Sequence, residues 1–141
     1  MRLSMCLIKE CTLIFPTNAR KLVLDSNSIT CLEKNRFIAS RLTELEEISI
    51  NDCEIQTIKI RAFSGLTKLA LLSMCGNKLR KIKQRTFKKM NLLAYLVFVD
   101  NIIEHLEVDI ISRLISLKLF YLTIKKIAGC PSRLVLRIAQ S

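Results

Sequence analysis

Few side chains in this sequence are equipped for chemistry. The only histidine, His105, is expected in the exposed turn after Ile103 with no nucleophile in register beside it, so general acid–base or nucleophilic catalysis finds no partner set. Six cysteines (Cys6, Cys11, Cys31, Cys53, Cys75 and Cys130) are unevenly spaced and form neither a CxxC pair nor a Cys/His cluster of zinc type. Three scattered glycines cannot build a phosphate-cradling loop. No catalytic residue, metal, cofactor or small-molecule substrate is therefore expected. Charge is the remaining lever: 23 Lys plus Arg oppose 12 Asp plus Glu, and a net charge of +11 favours polyanions, anionic membrane surfaces or acidic proteins as partners. Charge alone does not choose among these.

The scaffold that must position any binding group is one domain's worth of chain, 141 residues of which 50% are apolar. The longest unbroken apolar run, from Leu92 to Val99, has 8 residues, well short of the roughly 20 that a membrane-spanning helix needs. At the start, Met5, Cys6, Leu7 and Ile8 are interrupted by Lys9 and Glu10, too little for a secretory h-region of about 7 to 15 residues. Either the chain stays inside the cell or its natural start lies further upstream. Cys6 and Cys11 could bridge, or they are free thiols.

The dominant signal is a 24-residue period. Leu42, Leu45, Ile48 and Ile50 are followed in step by Leu66, Leu69, Leu72 and Met74, by Met90, Leu93, Leu96 and Phe98, and by Leu114, Leu117, Phe120 and Leu122. The second half of each unit keeps pace, as Cys53, Ile55, Ile58 and Phe63 are matched by Asn77, Leu79, Ile82 and Phe87 and by Asn101, Ile103, Leu106 and Ile111. An earlier copy, Leu22, Leu24, Asn27, Ile29, Leu32 and Phe37, sits 26 residues before the next and so carries a two-residue insertion. Chance would make about half of the core positions apolar in such a chain, and, the Asn/Cys position aside, in the last four units all of them are.

Leu69 to Leu79 and Leu93 to Ile103 read L-x-x-L-x-L-x-x-N/C-x-L, and in this they resemble the leucine-rich repeat. The unit length, with Phe late in the unit, is similar to the subclass found in Toll-like receptor ectodomains, slit-type guidance proteins and small leucine-rich proteoglycans. The resemblance covers roughly residues 12 to 128, and Phe15-Pro16-Thr17-Asn18 looks like the run-in from an N-terminal cap. It implies an α/β solenoid: a right-handed superhelix with short parallel strands on a concave face and 3₁₀ or irregular segments on the convex side. One domain over 1–141 is expected, with a cap-like segment at 1–18, repeats at about 19–41, 42–65, 66–89, 90–113 and 114–129, and a tail at 130–141. That tail does not resemble the family's cysteine-rich C-terminal cap.

The spacing has a physical reason. The L-x-L segment supplies one short strand per unit, whose alternate side chains face inward, and stacking pools them into a core that no single unit could close. Where the chain leaves the strand, backbone groups lose their ladder partners, and an Asn amide can both donate and accept. Asn27, Asn77 and Asn101 are thus candidates for a structural ladder of the kind the family uses. Cys53 holds that position in the second unit with a weaker S–H donor, and Lys125 holds it in the fifth without an acceptor. Phe37, Phe63 and Phe87 share one position and should stack as a spine that Ile111 ends. With 24 residues per unit there is no room for long outer helices.

Outward strand positions line the concave face, the surface that the family commonly uses for ligands. The first two rows, Lys21, Val23 and Asp25 and then Glu47, Ser49 and Asn51, are largely polar. Beyond them stand Leu71, Ser73 and Cys75, then Tyr95, Val97 and Val99, then Leu119, Tyr121 and Thr123, an apolar patch suited to a protein partner unless the C-terminal tail covers it. The candidate partner-binding set is Leu71, Ser73, Tyr95, Val97, Val99, Leu119, Tyr121 and Thr123.

Charge also alternates by unit. Residues 66–89 hold eight basic and no acidic side chains, whereas 42–65 has five acidic against two basic and 90–113 four against one. Lateral ion pairs between units would absorb much of this. The alternative is a basic band of Lys78, Arg80, Lys81, Lys83, Arg85, Lys88 and Lys89 that holds a heparin-like glycan or nucleic acid. The leading expectation is a protein-binding module, extracellular or on the cell surface by resemblance. An intracellular scaffold is the other possibility, favoured by the absence of a visible signal peptide and of any Asn-x-Ser/Thr acceptor.

Overall fold

A computed structural model describes residues 16–83, 85–107 and 109–124. The expected N-terminal cap, the Cys6 and Cys11 pair, the Lys125 ladder position and the C-terminal tail lie outside these residues, as does the side chain of Ile111.

In chain order the elements are β1 (Lys21–Val23), β2 (Cys31–Leu32), α1 (Arg36–Ala39), β3 (Glu47–Ser49), β4 (Thr57–Ile58), β5 (Leu71–Ser73), β6 (Lys81–Ile82), β7 (Tyr95–Ile103), β8 (His105–Leu106), α2 (Asp109–Ser112) and β9 (Leu119–Ile124). Strands β1, β3, β5, β7 and β9 form one parallel sheet in that order. Its register places Leu22, Ile48, Leu72, Leu96 and Phe120 side by side. These five are at most 2% exposed, so each contributes about 1.5–3 kcal/mol by burial. No unit owns that core alone, because each inward row is closed by its neighbours.

The far side of the first three units is pinned by the phenylalanines. Phe37 and Phe63 stack with ring centroids 5.8 Å apart, and Phe63 and Phe87 with centroids 6.0 Å apart. Paired strands stand only about 4.8 Å apart. Equal numbers of units are therefore spread further on the phenylalanine side than on the sheet side, and the stack bends with the sheet on its inner, concave face. Phe87 also meets Phe98 at 6.0 Å, which ties the spine to the strand core.

Outer segments are mostly turns. In the second unit Ala62 N–H donates to Lys59 and Ser64 N–H to Arg61, the three-residue closure of a 3₁₀ turn, and the third unit repeats it from Thr86 to Lys83 and from Lys88 to Arg85. The first and fourth units instead close single α turns, α1 and α2. A four-residue helix has no stability of its own; α1 is held by Phe37, 3% exposed within the spine. Two further parallel pairs, β2 with β4 and β6 with β8, lie between the sheet and the outer turns.

The junction from strand to outer segment is the same in the first four units. Ser26, Asp52, Gly76 and Asp100 occupy one position and all have positive φ, between 53° and 63°. In this left-handed turn the chain reverses in the least space, and Asp and Gly tolerate it better than branched residues do. Regularity fails at the end. Register holds from Tyr95↔Leu119 to Phe98↔Leu122, a separation of 24, and then shifts to Ile103↔Ile124, a separation of 21.

Candidate functional site

Buried side chains set the ladder that rigidifies the concave face. Asn77 Nδ2 donates to Ile50 O of the preceding unit at 2.8 Å and to Met74 O and Cys75 O of its own at 3.1 Å. Its Oδ1 accepts from Cys53 N–H at 3.1 Å and Ile55 N–H at 2.9 Å. Asn101 repeats the pattern toward Met74 O, Phe98 O and Leu79 N–H. Asn27 donates to Leu24 O and Asp25 O. Cys53, fully buried, substitutes a thiol that donates to Leu24 O at 3.0 Å and Asn51 O at 3.1 Å. Burial pushes that thiol's pKa up, against the pull of the Asn27 backbone N–H. It is a structural group, held neutral and out of solvent.

The concave face divides as its residue types suggest. In the first two rows Lys21 pairs with Glu47 at 2.7 Å. Asp25 Oδ1 accepts from Ser49 Oγ at 2.7 Å and from Asn51 N–H at 2.8 Å, and Asn51 Oδ1 accepts from Ser73 Oγ and Cys75 N–H, both at 2.8 Å. Ser73, proposed for binding, is thus the end of a polar chain that satisfies itself. Beyond it, Leu71, Tyr95 and Leu119 form one outward column and Val97 and Tyr121 continue the next. Tyr95 is 40% exposed, while Leu71, Val97, Val99, Leu119, Tyr121 and Thr123 are half-buried among their neighbours. Thr123 Oγ1 accepts from Asp100 N–H at 3.3 Å, so it too is partly engaged within the protein.

Two further exposed apolar residues of the last two units are not strand positions and escape a reading confined to them. Leu92 is 55% and Ile115 70% exposed. Leu92 lies one period after Lys68, and Lys68 is ion-paired to Glu44 one period earlier, so a charged column turns apolar at the fourth unit. The signal was in the sequence, as the replacement of charge by Leu at that repeat position.

Ion pairs divide the basic band. Lys68 pairs with Glu44, Lys78 with Glu54 at 2.9 Å, and Arg80 with Glu104 at 3.3 Å, each joining neighbouring units. Arg20 and Glu46 add a fifth pair at 3.1 Å to the one between Lys21 and Glu47. These are exposed contacts worth about 0.2–1 kcal/mol each, enough to register the flanks and to consume the charge there. Lys81, Lys83, Arg85, Lys88 and Lys89 are exposed and make no ion pair among the described residues. Arg85, Lys88 and Lys89 join Arg61 of the second unit around a groove of about 410 Å³ on the outer side. Arg85 and Lys88 also border a smaller depression of about 190 Å³ with Arg113 of the fourth unit. Counting charge unit by unit hid Arg61 and Arg113, which belong to acidic units.

His105 is exposed, but it lies in β8 opposite Lys81 and not in a turn. The backbone pairing that places it there is invisible in side-chain periodicity. Among the described residues no group of three His, Cys, Asp or Glu side chains could hold a metal ion, and no helix is long and apolar enough to cross a membrane.

A family model described as leucine rich repeat matches residues 17–79 and again residues 43–103, together more than half of the chain. No curated protein matches it. Modules of this kind generally serve protein–protein interaction and are typically non-enzymatic scaffolds.

Proposed function

Since this chain belongs to the leucine-rich repeat family, we propose that it is a protein-binding module that takes its partner on the concave face of units three to five. One observation carries this reading. The polar rows of the face are saturated by their own ion pair and hydrogen bonds, whereas the column Leu71, Tyr95 and Leu119 offers apolar surface with no polar commitment. Aromatic anchors in an apolar patch are the usual source of interface energy. Tyr95 and Tyr121 are the anchors, Leu71, Val97, Val99 and Leu119 the surrounding contact surface, and a receptor or matrix protein is the setting that fits the repeat subclass.

The test is photo-crosslinking from the full chain. A photoreactive phenylalanine at Tyr95 should yield one discrete protein adduct from a lysate or conditioned medium, absent when the same group replaces Lys59 on the other side. Tyr95→Ala with Tyr121→Ala should abolish retention of that adducted protein without changing thermal unfolding. Equal adducts from both positions, or full retention by the double variant, would sink the proposal.

A further inference from the structure

A second candidate site, separate from the concave-face residues, is the outer groove lined by units one to three. Arg61 and Arg85 occupy equivalent positions one period apart, and the phenylalanines two residues after each stack at 6.0 Å, so the turns that carry the two guanidiniums stand about that far apart. Lys88 and Lys89 close the groove from the third unit, and Asn35, Ser64 and Thr67 add neutral polar groups. Thr86, another lining residue, is 3% exposed, and its Oγ1 is the one buried side-chain oxygen or nitrogen without a hydrogen-bond partner among the described residues. A buried hydroxyl left unpaired costs about 1–3 kcal/mol, which a ligand oxygen accepting from it would recover. Like charges gathered without counter-ions repel, and the flank ion pairs have already engaged Glu44, Glu54 and Glu104 elsewhere.

We propose that this groove binds the sulfate groups of a sulfated polysaccharide, with Arg61, Arg85, Lys88 and Lys89 meeting the charge and the Thr86 hydroxyl donating to one oxygen. Guanidinium groups bind tetrahedral oxyanions through paired N–H donors. Arg85 and Lys88 border both depressions, so basic side chains recur from Arg61 to Arg113, with Asp109 at the position of Arg85 in the fourth unit, at the intervals a linear chain with repeated charges can meet. A nucleic acid is disfavoured because Phe63 and Phe87, the aromatics of the two lining units, are at most 4% exposed and present no face on which a base could stack.

The experiment is calorimetric titration of the full chain with a heparin hexasaccharide at physiological salt, in parallel with inorganic sulfate, inorganic phosphate and a single-stranded oligonucleotide of equal charge. Hexasaccharide binding should exceed oligonucleotide binding at least tenfold, with both free ions far weaker than the hexasaccharide. Arg85→Gln with Lys88→Gln should weaken it tenfold or more, and Thr86→Val about threefold. Lys78→Gln with Arg80→Gln, which removes the same charge from the paired flank, should change it less than threefold. Thermal unfolding of each variant separates a lost site from a lost fold; should the Arg85 and Lys88 variant unfold, Arg61→Gln takes its place with a threefold or greater loss expected. Equal weakening by the flank pair, equal binding of the oligonucleotide, or no hexasaccharide binding overturns the proposal.

Discussion

The Cys53 thiol donates a hydrogen bond to the carbonyl oxygen of Leu24 at 3.0 Å, in the place where Asn77 donates its amide to Ile50 one unit later. The substitution is only half a replacement. An Asn also presents an oxygen, and Asn77 uses it to hold the Ile55 amide of the unit before. Cys53 has none to offer, and the corresponding amide, that of Ile29, folds back onto Asn27 O at 2.9 Å.

Restoring the oxygen should therefore stabilise the stack. Cys53→Asn exchanges a weak S–H donor for an amide with both capacities, and a neutral buried hydrogen bond is worth about 0.5–1.5 kcal/mol net. Chemical denaturation should show a gain of about 1 kcal/mol, and hydrogen exchange should show the Ile29 amide better protected. A loss of stability would mean that the first turn is shaped around sulfur and cannot admit the longer side chain.

The same thiol makes stability fall in alkali. Burial raises the Cys53 pKa in the folded state, so above the ordinary thiol value, about 8.5, the unfolded chain has released a proton that the folded chain keeps. The unfolded state then binds fewer protons, and the slope of unfolding free energy with pH is negative, at most about 1.4 kcal/mol per pH unit for one group. This stabilising contribution is complete below the unfolded value and lost as pH rises toward the folded one. Unfolding of the wild type and of Cys53→Ser, compared between pH 7.5 and pH 10, should show the steeper decline in the wild type; parallel curves would remove the thiol as the cause.

Much of this architecture was legible from periodicity, and what was not has a common origin. Side-chain spacing specifies which residues face a shared core, so Leu22, Ile48, Leu72, Leu96 and Phe120 could be aligned from sequence and are aligned in the sheet. Backbone pairing leaves no such mark, and the short strands that hold Lys81 against His105 went unread. The candidate sites were legible where one unit defines them, as with Tyr95 on its strand. They were obscured where adjacent units share them: Arg61 reaches the groove of the third unit from an acidic one. The slip after Leu122 likewise depends on how the last turn packs, which the intact spacing of Phe120 and Leu122 does not reveal.

Asn77 should be the most sensitive polar position. Replacing it by Ala removes both N–H donors, which three carbonyl oxygens share, and strands the buried amides of Cys53 and Ile55, each costing about 1–3 kcal/mol if water cannot reach it. Partial relaxation brings the expected total to about 3 kcal/mol, a large share of a stability that is about 5–15 kcal/mol for a domain. Asn51→Ala, at a half-buried site that solvent can satisfy, should cost about 1 kcal/mol. Equal losses in denaturant titrations would show that burial is not what makes the ladder strong.

Gly76 distinguishes backbone strain from crowding. Its φ of +63° matches Ser26, Asp52 and Asp100, so the turn itself admits a side chain at about 1 kcal/mol. An added Cβ, however, would collide with Oδ1 of Asp52 in the preceding unit. Asp52 is exposed, and its carboxylate can swing into water at little cost. Gly76→Ala should accordingly lose about 1 kcal/mol, and Asp52→Ala in the same chain should recover almost none of it. If the double variant instead regained most of the loss, the carboxylate would be fixed against the third turn, and packing, not the left-handed backbone, would be what keeps glycine there.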